Sequence, residues 1–164
     1  EHAHQAGIVH RDLKPFNVLL AKDANNKYLP KISDFGLAKS YLLAGDSGMT
    51  VNGTVGGSWA YMPKEQLTNF RFVSPQSDVW SLGAIAYECL TQELPRPMKP
   101  GADPIRIILD SEVVSIDVLI PDVPKRVARF IMKALSPETS DRYKDAGQMR
   151  AALRVVAGHE QIEL

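Results

Sequence analysis

Two short motifs concentrate the side chains able to do chemistry. The first, His10-Arg11-Asp12-Leu13-Lys14-Pro15-Phe16-Asn17, sets a carboxylate, an ammonium and a carboxamide close together, and the second, Asp34-Phe35-Gly36, adds another carboxylate. Phosphoryl transfer needs a carboxylate near the attacking hydroxyl and oxygen ligands for Mg²⁺ bridging a triphosphate. Two loops joined by one hairpin can converge to supply both. The same residue types also make turns and helix caps, so the order and spacing of the motifs carry the argument.

The elements that must position them are legible in outline. Short apolar runs at 18–20 and 29–32 flank the turn-forming Asp23-Ala24-Asn25-Asn26 and predict a small hairpin between the motifs. Upstream, EHAHQAGIVHRD reads as the last turns of a helix ending at Gly7, so Glu1 is not expected to be a natural terminus. Downstream, Ser77 is expected to cap a helix through Leu90. Val79, Leu82, Ala86 and Leu90 line one of its faces and Trp80, Ala84 and Tyr87 the other, so it should be central. Two further helices have one-sided patterns: Val127, Phe130, Ile131, Ala134 and Leu135, then Ala146, Met149, Leu153 and Val156, the latter stopped by Gly158. Residues 37–61 are rich in Gly, Ser, Thr and Asn, a loop too long for a mere connector. PRPMKPG, at 95–101, reads as a proline-stiffened loop in preference to a polyproline ligand.

Composition narrows the setting. A chain of 164 residues, 45% hydrophobic, is enough for one core. Nineteen basic and nineteen acidic residues leave no global field to attract nucleic acid or an anionic membrane. The single cysteine, Cys89, excludes an internal disulfide and sits among apolar neighbours as a packed thiol, which fits a reducing, cytoplasmic location. The most apolar stretch, 79–90, is too short to span a bilayer and contains Glu88.

With both motifs in this order, the chain resembles the protein kinases from His4 to about Ala157. The resemblance implies a mainly α fold: a kinase C-terminal lobe over 1–158 with a small β-hairpin near the catalytic loop, then a tail at 159–164. The N-terminal lobe, with its Gly-rich loop and strand lysine, is missing from the pattern, as is most of the helix before the catalytic loop. The central helix is therefore expected to expose an apolar face.

The resemblance also implies roles. Asp12 is the base toward the substrate hydroxyl, Lys14 faces the transferring phosphate, and Asn17 and Asp34 hold the Mg²⁺ that accompanies ATP. His10, Phe35 and Gly36 are structural, and Asp78 anchors the loop backbone. His2 and His4 follow the kinase pattern leading into the loop and are not expected to form a metal pair. The long loop corresponds to the activation segment, with Thr54 and Thr50 as phosphosite candidates and Arg11 as the residue binding the phosphate. GGSWAYMPKEQL, at 56–67, resembles its closing stretch, with Pro63-Lys64-Glu65 where the family usually reads Ala-Pro-Glu. Glu65 should pair with Arg142. Lys14 and the hydroxyl of Ser58, in the substrate-facing region, match the serine/threonine branch, and ALSPETSDRYKDAGQMRAAL looks most like bacterial members.

The activity implied is transfer of the ATP γ-phosphoryl group to Ser/Thr hydroxyls of a protein substrate, nearly absent from this chain in isolation. The alternative is a non-catalytic, pseudokinase-like binding module, which has no physical need for Asp12, Lys14, Asn17 and Asp34 together. A small-molecule phosphotransferase is disfavoured by Lys14-Pro15, Asp34-Phe35-Gly36 and the long closing segment.

Overall fold

The structure, a computed structural model, describes residues 1–35, 59–69, 73–98 and 101–160. Helix α1 (His2–Gln5) ends where Gly7 takes a left-handed φ of 73°, a conformation that costs glycine nothing. A 3₁₀ turn (Pro15–Asn17) leads into β1 (Val18–Lys22), which pairs antiparallel with β2 (Tyr28–Ile32), Val18 opposite Ile32 and Lys22 opposite Tyr28. Asp23 closes the hairpin by accepting the amides of Asn25 and Lys27 at 2.8 and 2.9 Å. This register sets Asn17 beside Ser33, whose amide donates to the Asn17 carbonyl at 3.0 Å. The two motifs therefore meet at one end of the hairpin.

The rest of the described chain is helical: α2 (Lys64–Thr68), α3 (Pro75–Thr91), α4 (Pro104–Asp110), α5 (Ile116–Leu119), α6 (Lys125–Ala134) and α7 (Ala146–Glu160). Helix α3 is the axis, packed against α5, α6 and α7. Val79, Trp80, Ala84 and Tyr87 are fully buried on it, against a core that includes Ile116, Phe130, Ile131 and Leu135. Each large apolar side chain so buried contributes roughly 1.5–3 kcal/mol. Gly83 allows α6 to approach, since a Cβ there would lie 2.8 Å from the Ala134 Cβ.

Several expectations need correction. Helix α3 starts at Pro75 after the N-cap Ser74, because proline at the first helical position is pre-set for helix and lacks only a hydrogen that would go unused. Ser77 lies within the first turn, and its Oγ donates to Glu65 Oε1 at 2.8 Å. Leu90 is 37% exposed, and Cys89 is exposed rather than packed, because the last turn of α3 runs past the core. Helix α7 continues through Gly158, which has open space around it, to Glu160. On the face of α3 expected to be uncovered, Leu82 and Ala86 line an open apolar cavity of about 380 Å³ formed with α6 and α7. Among the described residues, no helix is long and apolar enough to cross a membrane.

Candidate active site

The backbone of the 10–17 loop is held from two sides. Asp78, in the first turn of α3 and 2% exposed, accepts the amides of His10 at 2.7 Å and Arg11 at 2.9 Å. Arg11 has a left-handed φ of 71°, a conformation that costs a non-glycine residue about 1–3 kcal/mol. Its amide is fixed by Asp78, and its carbonyl by Gln66 Nε2 on α2 at 2.7 Å. A helix-start carboxylate and a distant carboxamide thus hold the peptide before Asp12.

Two histidines complete the scaffold. The amide of Asp12 donates to His10 Nδ1 at 3.3 Å, so Nε2 carries the hydrogen and donates to the Ser33 carbonyl at 2.7 Å. Buried His10 thereby ties the first motif to the second, and its ring lies 4.6 Å from that of Phe35. His4 accepts the Ala146 amide at Nδ1 and donates from Nε2 to Asp78 at 2.9 Å. Both of its nitrogens are used, and no cluster of three or more His, Cys, Asp or Glu that could hold a metal occurs among the described residues.

The chemistry-bearing side chains lie within this frame. Lys14 Nζ is 2.8 Å from Asp12 Oδ2, both side chains being partly exposed. Buried Asn17 donates from Nδ2 to the Asp12 carbonyl at 2.7 Å and to Asp12 Oδ2 at 3.0 Å, which leaves Oδ1 as an acceptor. Asp34, at φ 60°, receives the Ser33 hydroxyl at 3.2 Å. Asp12, Lys14 and Asn17 are thus in direct contact, and Asp34 joins them through Ser33. Beside this group the hairpin exposes Leu19, Leu20, Leu29 and Ile32.

A second anchor fixes the start of α2. Arg142 donates bidentately to Glu65, Nη1 to Oε1 at 2.7 Å and Nη2 to Oε2 at 3.1 Å, with Nε on the Ser136 carbonyl at 2.8 Å. Burial pushes the Glu65 carboxyl up, but the bonds and charge of Arg142, with help from its own amide and Ser77, outweigh it and hold it below the usual range.

Gly36, Thr50, Thr54 and Ser58 lie outside the described residues. Three contributors had no assigned role in the sequence reading: Gln66, Ser33 and His4 as a partner of Asp78. For Gln66 and Ser33 the sequence offers no signal, since each reaches a main-chain group of a distant segment, Arg11 for Gln66 and Asn17 for Ser33.

The family model for the protein kinase domain matches residues 1–153. Serine/threonine-protein kinase PknL of Mycobacterium tuberculosis (strain H37Rv) is 34% identical over 155 residues, covering 94% of this chain and 37% of that protein. Serine/threonine-protein kinase PknB of Mycolicibacterium smegmatis is 36% identical over 156 residues, covering 92% of this chain and 23% of that one. Among solved structures, Rad53 1–466 in complex with AMP-PNP superposes with a TM-score of 0.62 at 28% identity, over 90% of this chain and 34% of the other. The chain therefore spans well under half the length of these curated relatives.

Proposed function

The chain belongs to the protein kinase domain family, and from that premise we propose that it is the C-terminal lobe, over 1–158, of a bacterial-type serine/threonine kinase. In this reading it transfers the γ-phosphoryl group of ATP to Ser/Thr hydroxyls of proteins. The observation that supports it is the hydrogen-bonded set of Asp12, Lys14 and Asn17, joined to Asp34 through Ser33.

Asp12 accepts the proton of the substrate hydroxyl as that oxygen bonds to the γ-phosphorus and the bond to the ADP oxygen breaks. Lys14, held against Asp12, would supply a point charge to the phosphoryl oxygens. Asn17 Oδ1 and the Asp34 carboxylate are hard oxygen donors, few in number, which fits Mg²⁺, an ion that keeps waters and phosphate oxygens as its other ligands. When bound, Mg²⁺ neutralises charge on the triphosphate. The exposed apolar side chains of the hairpin, Leu19 and Leu29 on one face and Leu20 and Ile32 on the other, offer the surface on which an N-terminal lobe would rest, so the isolated chain would be nearly inactive. Phosphorylated Thr54 or Thr50 would engage Arg11, Ser58 would face the protein substrate, and dependence on ATP argues for the cytoplasm.

The test is γ-phosphate transfer by the full-length kinase domain and by its Asp12→Asn variant. Loss of roughly 10²–10⁴-fold in turnover with MgATP binding retained is expected for removal of a general base. Unchanged turnover in Asp12→Asn would remove the proposal. Absence of transfer in the unaltered domain would leave the binding-module reading in its place.

A further inference from the structure

A second cavity, of about 440 Å³, lies between the start of α2, the end of α4 and the end of α6, with none of the Asp12 group in its lining. Its volume is within the range of about 300–1,000 Å³ typical of small-molecule sites. Ile108, Leu109, Val113, Met132 and Leu135 give it apolar walls, and two cations, Arg96 and Lys64, line it as well. Lys64 Nζ is engaged with the Leu109 carbonyl at 3.0 Å.

Arg96 is the unusual member. It is 6% exposed, with its guanidinium stacked 4.5 Å from the Trp80 ring and Nη1 donating to the Met62 carbonyl at 3.2 Å. Its Nε has no hydrogen-bond partner, and neither has the adjacent Trp80 Nε1. Among the described residues no carboxylate lies within ion-pair distance of it, because Glu65 is engaged by Arg142. Burial, reinforced by the charge of Arg142 and partly offset by that of Glu65, lowers its pKa to about 10, so it is still a cation at neutral pH. A buried guanidinium with no carboxylate in direct contact is costly, and stacking on Trp80 alone would be served as well by an apolar side chain. Arginine instead supplies a planar fork of donors suited to a carboxylate.

We infer that this cavity binds a monocarboxylate carried on an apolar body, with Arg96 as the recognising group and Lys64 as a second cation. Asp110 and Glu112 line the same cavity and disfavour a more highly charged phosphate. Such a carboxylate comes from a free small molecule or from the C-terminus of a polypeptide. The site shares no residue with the Asp12 group, so it stands whether or not the kinase reading does.

The probes are hexanoate and its neutral twin hexanamide, and a short Leu-terminated peptide as free acid and as amide. Each is titrated by calorimetry into the full chain. Both acids, or one, should bind at least tenfold more tightly than the matching amide, and the tighter acid identifies the source. Arg96→Met should weaken acid binding at least tenfold and Lys64→Gln severalfold. Val113→Trp, which adds bulk to the cavity wall and replaces neither cation, should abolish binding and serves if Arg96→Met does not fold. Equal binding of acid and amide, no binding of either acid, or unchanged affinity in a folded Arg96→Met or in Val113→Trp would each overturn the inference.

Discussion

Gln66 Nε2 donates to the main-chain carbonyl of Arg11 at 2.7 Å, across a sequence separation of 55 residues. The contact joins the helix that follows the long Gly-rich segment to the peptide immediately before Asp12. It makes the position of the Asp12 loop depend on the position of α2.

Gln66→Leu should therefore lower turnover of the complete kinase domain roughly tenfold, the scale expected when a reacting group is slightly misplaced. Stability should fall by only about 1–2 kcal/mol, the effect of leaving one carbonyl unpaired. Steady-state kinetics beside urea unfolding separate the two, and equal activity in Gln66→Leu would show that α2 does not position the loop.

Asp78 accepts two amides and the His4 ring from within the core. Asp78→Asn keeps the shape but replaces one acceptor oxygen with a donor. We expect a loss of roughly 2–3 kcal/mol and faster exchange of the His10 and Arg11 amides, measured by hydrogen exchange. Protection of both amides at the original level would contradict the anchoring role.

Breaking the ion pair by Arg142→Ala should cost roughly 3–5 kcal/mol, since it leaves a half-buried carboxylate uncompensated. Its pH signature is specific. Because the folded-state pKa of Glu65 is depressed from 4.5, its stabilisation is complete above that pH and is lost as pH falls through the folded value. The stability gap between the unaltered chain and Glu65→Gln should thus be constant at neutral pH and narrow in acid. A gap independent of pH down to acid unfolding would exclude the linkage.

Gly83→Ala should destabilise by roughly 1–3 kcal/mol through overpacking against Ala134. Combining it with Ala134→Gly should recover part of that loss, giving a non-additive double-mutant cycle by urea denaturation. Simple additivity would mean that the two helices part freely.

Much of this was legible from residue order. The hairpin and the central helix follow from apolar runs and turn residues, whereas the pairing of Glu65 with Arg142 follows from the resemblance to the kinases. The start of α3 departs from the pattern because Ser77 is a good cap, yet Ser74-Pro75 is a better helix entry and Ser77 is drawn to Glu65. Helix α4 also had a signal, Asp103-Pro104, whose carboxylate caps the Ile105 amide at 2.9 Å. Gln66 and Arg96 had none, since what each does is set by side-chain reach across the fold, which no local pattern encodes.

Ser33 grips three partners at once: its amide on Asn17, its carbonyl on His10 and its hydroxyl on Asp34. A displacement of either motif must strain or break one of these grips. The two halves of the pocket consequently tilt and slide as a single rigid piece, and anything that tugs on the hairpin is felt at position 12.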